Sequence, residues 1–395
     1  MNSPPVRKIA IRAAFILFGL SLSLVAGEIG IRLIFSNSIA SSNPADKQIV
    51  SIAQALPRAT YHKPGEQFVY FGNPGALKEF EIAGRWNAQG FNDKDYSFHK
   101  ASNTFRIVVL GDSYVEALQV PMERSFHKVL ERSLNQRIKN KNFEVISFGA
   151  SGNGPRKNLQ CLEKLGMKYG PDLVIMMFLE GNDVRDDNVA LQVLHRRQKD
   201  KLEKLSPTLY RPTLYQPGGQ VPHLLRYSRL FGFLAQSSLN LKYKRQRKEL
   251  TPEDQIPLDQ FIYSTQYDQI WKRAWQNTLS YVRQAEELVV SGKSDFILVE
   301  IDEVFRLIDH GEIPIFDNPA MKKYSWDFDR PRKIIKEFCR DNQIRLLDLE
   351  PFFADENSRS KTPLHYAYDG HWNEKGHELA AETIFNYLKE QTLLQ

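Results

Sequence analysis

At 395 residues the chain is long enough for one large domain with insertions, or for two domains. Hydrophobic content of 42% and charged content of 25% are ordinary for a globular protein, with no internal repeats and no low-complexity tract. The formal net charge of +6 is spread over many segments and suits a membrane surface or an acidic polymer; with no aromatic-interleaved basic module and no zinc-finger spacing, nucleic acid is excluded as a partner. Cys161 and Cys339 are too few for a disulfide framework and match no metal spacing, which leaves one bridge or, preferred, two buried free thiols.

The N-terminus carries the first signal. Arg7, Lys8 and Arg12 precede Ala13–Gly27 (AAFILFGLSLSLVAG), an uncharged stretch shorter than the about 20 residues of a full span. Continuing through Ile29-Gly30-Ile31 and Leu33–Phe35 supplies the length and takes in Glu28 and Arg32, whose i,i+4 spacing lets them pair on one helix face. The basic flank puts that end in the cytoplasm and the rest outside. A cleaved signal peptide ending near Ala26 is the rival reading; the apolar pattern beyond Gly27 favours an uncleaved transmembrane anchor over residues 1–35.

Residues 36–60 begin with the Ser/Asn-rich Ser36–Asp46 and read as a tether. Residues 61–104 hold aromatics and glycines without helical periodicity. They read as a lead-in or cap, with short strands at Phe68–Phe71 and Phe80–Ala83 and a turn at Asn87–Gly90. The body, 105–395, alternates. Strand Arg106–Leu110 leads to an apolar-periodic segment with a helix through Glu123–Gln136. Strand Phe143–Phe148 leads to the glycine-rich turn Gly149–Pro155 and a helix to about Leu165. Strand Leu173–Leu179 ends in the turn Glu180-Gly181-Asn182-Asp183.

The pattern breaks over Val184–Gln269, rich in Lys, Arg, Gln, Leu and Tyr, with breaks at Pro207, Pro212, Pro217, Pro222 and Pro252. It reads as a helical insertion with solvated basic faces and helices at Asn188–Leu205 and Leu224–Glu249; a surface for an anionic polymer or lipid headgroups is the lesser reading. Alternation resumes with helix Trp271–Ser291, strand Phe296–Ile301, helix Arg330–Asn342 and strand Ile344–Leu349. The turn Tyr368–Asn373 and helix Glu374–Lys389 close the chain. Such alternation means βαβ units and a mostly parallel sheet.

Four turns offer small or polar groups at the edge where such sheets gather ligand sites: Gly111-Asp112-Ser113, Ser151-Gly152-Asn153, Gly181-Asn182-Asp183 and Asp369-Gly370-His371. Acyl transfer requires a hydroxyl nucleophile, a base, a group orienting that base, and oxyanion donors. Ser113 fits the nucleophile, His371 the base, and Asp369 the group fixing the imidazole tautomer. The backbone N–H groups of Ser113 and Gly152 and the amide of Asn182 fit the donors. Asp112 and Asp183 read as helix caps.

This ordered set resembles the SGNH (GDSL-type) hydrolase superfamily, over Phe105–Leu388 with the insertion interrupting it. The anchor and the segment Asn87–Asp93 also resemble membrane-anchored bacterial members. The resemblance implies a three-layer α/β/α sandwich, flavodoxin-like, with a parallel sheet of about five strands, and a serine ester hydrolase or O-acyltransferase. Position by position it implies Ser113 as nucleophile, Gly152 and Asn182 as oxyanion-hole residues and His371 as base. One departure stands out. The family spaces its acid and base Asp-x-x-His, whereas one residue separates Asp369 from His371; a backbone carbonyl is the alternative orienting group.

His377, six residues after His371, reads as a capping or packing residue; a metal site of Asp369, His371 and His377 matches no zinc spacing, so no metal or cofactor is expected. Glu300 and Asp302 end the fourth strand, and nothing in the sequence sets a carboxylate separation for glycoside hydrolysis. Trp86, Trp326 and Trp372 read first as core or rim residues, with Trp372 the candidate for substrate stacking. The expected function is an inner-membrane-anchored, periplasm-facing serine enzyme whose partner is an acylated, chiefly acetylated, glycan. A non-catalytic glycan-binding protein on the same fold and a lipid-acting esterase are the alternatives.

Overall fold

The computed structural model describes residues 19, 21–29, 62–72, 79–205, 213–214, 230, 234, 237–238, 241, 251, 256–301, 319–360, 362–367 and 369–394. In chain order its main elements begin with β1 (Gln67–Gly72), β2 (Phe80–Arg85), β3 (Thr104–Gly111), α1 (Ser113–Glu116), α2 (Phe126–Arg137) and β4 (Asn142–Gly149). The middle holds α3 (Pro155–Lys164), β5 (Leu173–Phe178), α4 (Glu180–Asp186), α5 (Val189–Leu205) and β6 (Thr213–Leu214). The chain ends with α6 (Gln269–Ser291), β7 (Asp295–Glu300), α7 (Arg330–Asp341), β8 (Arg345–Asp348), α8 (Glu350–Arg359) and α9 (Glu374–Glu390).

Five strands form one parallel sheet in the order β4-β3-β5-β7-β8. Their near-continuous apolar runs follow from burial on both faces. Successive side chains alternate between two cores. Val108, Leu110, Ile146, Phe148, Val174 and Met176 meet α3, α6 and α7; Ile107, Val109, Val145, Ile175 and Met177 meet α2, α8 and α9. The expected three-layer α/β/α arrangement with a five-stranded parallel sheet is present. Cys161 and Cys339 are buried free thiols, both pushed up to about 12 by burial.

The chain runs from β3 outward to β4, then returns to place β5 on the other flank of β3. That reversal puts a topological switch point at the carboxyl end of β3, flanked by the ends of β4 and β5, the place where open α/β sheets gather their ligand sites. The lead-in strands are where the sequence put them: β1 pairs antiparallel with β2, and β6 adds to the far side of β1.

Several local expectations differ from the structure. The apolar-periodic segment after Ser113 is no single helix: α1 ends on Ala117 in the left-handed region (φ 53°), Pro121 is extended, and a 3-10 turn (Met122–Arg124) precedes α2. Pro121, lacking an N–H, helps set that break. The Glu180–Asp183 turn is instead the first turn of α4, because Asp183 Oδ2 accepts from the Leu179 N–H (3.0 Å) and leads the chain straight from strand to helix. Asp183 thus caps from inside the helix rather than ahead of it. Helix α8 and strand β6 were not anticipated.

Of the expected Leu224–Glu249 helix, residues 230, 234, 237–238 and 241 are helical and the remainder lies outside the described residues. Most of the expected anchor and all of the tether do so too; residues 19 and 21–29 are helical, and among the described residues no helix is long and apolar enough to cross a membrane. Asp302 also lies outside the described residues.

Gly149 closes β4 directly beneath α1. A Cβ there would lie 2.2 Å from Glu116 N and 2.3 Å from Val115 C, both backbone atoms that cannot swing aside. Gly149→Ala is expected to destabilise the fold by at least about 1–3 kcal/mol, read as a lowered denaturant midpoint.

Candidate active site

Ser113 is the first residue of α1, immediately past β3, where Asp112 caps the turn by accepting from the Tyr114 N–H (3.0 Å). Its Oγ lies 2.8 Å from His371 Nε2, and His371 Nδ1 lies 2.7 Å from Asp369 Oδ1. The three side chains therefore form one continuous hydrogen-bonded chain. Asp369's side chain is 1% exposed and that of His371 24%, so the carboxylate is shielded while the imidazole keeps an open edge.

The short Asp369–His371 spacing works because Gly370 sits at φ 83°, a region that favours glycine. The chain doubles back there and brings residues i and i+2 to one side, with Asp369 Oδ1 also accepting from the His371 N–H at 3.3 Å. The carboxylate reaches the imidazole itself, and no backbone carbonyl is needed to orient it.

The loop is fixed from several directions. Tyr366 N–H donates to His371 O (2.9 Å), and Tyr114 Oη donates to Gly370 O (3.2 Å). Glu79 Oε2 accepts from the Asp369 N–H (2.9 Å), and Asn373 caps α9. Tyr114 and Glu79 were missed in the sequence, since neither type at those positions signals a partner more than 250 residues away.

Trp372 corrects one expectation. It is fully buried, edge-on to Tyr114 and Phe126 and stacked on Phe353, and offers no face to a substrate. An indole serves a core and a sugar platform equally well, and the sequence does not say which. Trp86 is likewise buried, stacked on His62, and Trp326 is half-buried. His377 is a packing residue: its Nδ1 accepts from the Phe126 N–H (3.2 Å), and burial first, then the charges of His371 and His365, pull it down to about 3. Among the described residues no cluster of His, Cys, Asp and Glu could hold a metal ion.

Gly152 and Asn182 leave the ends of β4 and β5, the strands flanking β3. Gly152 has φ 74° in the β4–α3 turn. Asn182, on α4, donates one amide hydrogen to Asp112 Oδ2 (3.3 Å), which leaves the second for another acceptor.

The electrostatics favour a working base. Burial alone would lower the His371 pKa, but the hydrogen bond and charge of Asp369, with the charge of Asp112, outweigh it and raise the pKa above the ordinary value. Asp112 and Asp183 are pushed upward, chiefly by burial. For Asp183 the charge of Asp112 adds to the effect.

No protein-family model matches this sequence, and no curated protein does. Solved structures do. An acetyl xylan esterase aligns over 72% of this chain and all of its own, at 12% identity and a TM-score of 0.40. An acetylxylan esterase from Geobacillus stearothermophilus aligns over 72% and 93%, at 12% identity and a TM-score of 0.39. A member of the lipolytic protein G-D-S-L family from Veillonella parvula aligns over 72% and 98%, at 12% identity and a TM-score of 0.36.

A base must be unprotonated to accept a proton, so ester turnover is expected to rise with pH through a midpoint above the ordinary histidine value of about 6.5. Asp369→Asn removes the stabilising charge: the midpoint should move down and kcat fall by roughly 10⁴-fold, measured as kcat and kcat/KM against pH. Trp372→Ala empties a closed core position and is expected to cost about 3–5 kcal/mol in chemical denaturation.

Proposed function

We propose that the chain is a serine ester hydrolase or O-acyltransferase working through an acyl-enzyme. The unbroken Ser113–His371–Asp369 hydrogen-bond chain at the carboxyl end of β3 carries this proposal. Ser113 gives its proton to His371 Nε2 as Oγ attacks the ester carbonyl carbon. The resulting oxyanion is met by the N–H groups of Ser113 and Gly152 and the free amide hydrogen of Asn182. His371 then protonates the leaving alcohol. Water or an acceptor hydroxyl, deprotonated by the same imidazole, attacks the acyl-serine and restores the enzyme. Asp369 holds the Nδ1–H tautomer and stabilises the imidazolium in both halves.

The rest of the proposal concerns place and substrate. The basic flank and apolar stretch before residue 36 support a single-pass anchor with the N-terminus inside and the catalytic body in the periplasm. Export and a basic insertion support an envelope or extracellular glycan as the acyl carrier, and acetyl as the acyl group. The short spacing that favoured a non-catalytic glycan-binding protein loses its force once Asp369 reaches the imidazole.

A fluorophosphonate probe is expected to label the full-length protein and not Ser113→Ala. Loss of Ser113 should lower kcat on p-nitrophenyl acetate by roughly 10⁴-fold or more. Activity that falls as the p-nitrophenyl acyl chain lengthens supports acetyl chemistry, whereas a rise overturns it in favour of a lipid substrate. Labelling that persists in Ser113→Ala overturns Ser113 as the nucleophile, and folded protein that is not labelled at all overturns the enzyme assignment.

A further inference from the structure

Away from the reacting groups lies a second polar array. The Glu116 side chain, at the end of α1, is 1% exposed yet has partners at both oxygens. Oε2 accepts from the Ser151 N–H at 3.0 Å and from the Ser151 hydroxyl in a short hydrogen bond. Oε1 accepts from His62 Nε2 at 2.6 Å, and the His62 ring lies flat on Trp86, 3.6 Å between centroids. The Glu116 carbonyl takes a hydrogen bond from Asn92 Nδ2 (2.8 Å). A buried carboxylate is costly unless it is fully hydrogen-bonded, and this one is held by groups from two separate segments, with Asn92 fixing the backbone of the same residue.

Ser151 directly precedes Gly152. On the other side, Lys157 Nζ donates to the Gly152 carbonyl at 2.7 Å. Further along, both oxygens of Asp187 accept from the Arg156 N–H at 3.1 and 3.2 Å. The Ser151–Gly152 peptide, which carries the Gly152 N–H, is thus tied on both sides by ionic groups. Gly152 sits at φ 74° in a turn closed by the Asn153 N–H donating to the Ala150 carbonyl (3.1 Å), and the clamp acts on that turn from outside it.

We propose that Glu116, braced by His62, and Lys157 form a two-sided clamp that aims the Gly152 N–H at the developing oxyanion. Both are positioning residues, and the inference rests on the role given to Gly152 above. Preorganised donors stabilise the transition state because their orientation is fixed beforehand, so loosening one lowers kcat rather than substrate binding.

The test uses the full-length chain and p-nitrophenyl acetate, with phenylboronic acid as a probe of the oxyanion position. Glu116→Ala and Lys157→Met are each expected to lower kcat about 10–100-fold, short of the roughly 10²–10³ for a lost donor. KM should stay within about twofold, and the boronate Ki should rise in step with the fall in kcat/KM. The pH midpoint of kcat/KM should not move, because His371 is untouched. Glu116→Gln keeps an acceptor for Ser151 and should recover most of the rate. If Glu116→Ala does not fold, Ser151→Ala and Lys157→Met carry the test, since Ser151 is exposed and Lys157 only half-buried.

Unchanged kcat and boronate Ki in folded Ser151→Ala and Lys157→Met overturn the clamp, as does a shifted pH midpoint. Two controls separate this from failure of the enzymatic assignment. Full activity in Ser113→Ala would sink both. Full activity in Gly152→Ala, with Ser113→Ala inactive, would remove Gly152 from the oxyanion hole and the clamp with it.

Discussion

The constraint beneath everything else is that both faces of the five-stranded sheet are covered. The strands are then largely apolar, most completely in β5, and the polar groups of the site lie in the turns beyond the strand ends. The reversal at β3 gathers three of those ends at one switch point. The turns that hold Ser113, Gly152 and Asn182 need no special device to lie side by side, because they follow three adjacent strands of the buried sheet. The fourth turn, which holds His371, reaches the same place by a different route: α9 packs on the second core, and buried Trp372 fixes where its leading loop lies.

At that switch point local backbone geometry decides the chemistry. One glycine at φ 83° converts an unusually short acid–base spacing into a hydrogen-bonded pair. The same carboxylate that orients the imidazole also raises its pKa, so tautomer and proton affinity are set by one contact. The nearby Asp112 adds to this charge while spending its hydrogen-bonding capacity on the Tyr114 N–H and the Asn182 amide.

How much could be read in advance depended on range. Apolar runs and their spacing sufficed for the parallel sheet, and the ordered polar turns for Ser113 and His371, because those signals lie within a few consecutive residues. The break between α1 and α2 was written in Pro121 but masked by the apolar residues around it. What could not be read was pairing at a distance. Nothing local in Tyr114, Glu79, Glu116 or His62 announces a partner far along the chain, and Trp372 looks the same in sequence whether it lines a core or a cleft. Asp369 fell between these cases, since its reach depended on a single backbone angle at Gly370.

The small sheet of β1 and β2 has a further meaning. Glu79, just ahead of β2, bonds to the backbone of Asp369, and Phe80 lies 4.9 Å from the Tyr366 ring in the same loop. His62, earlier still, bonds to Glu116 at the end of the short helix that Ser113 begins. The stretch ahead of the main sheet is therefore built into the Ser113–His371 site rather than hung in front of it. A boundary drawn at β3 would look tidy on paper, yet it would cut away part of what holds the loop of Asp369 and His371 in place.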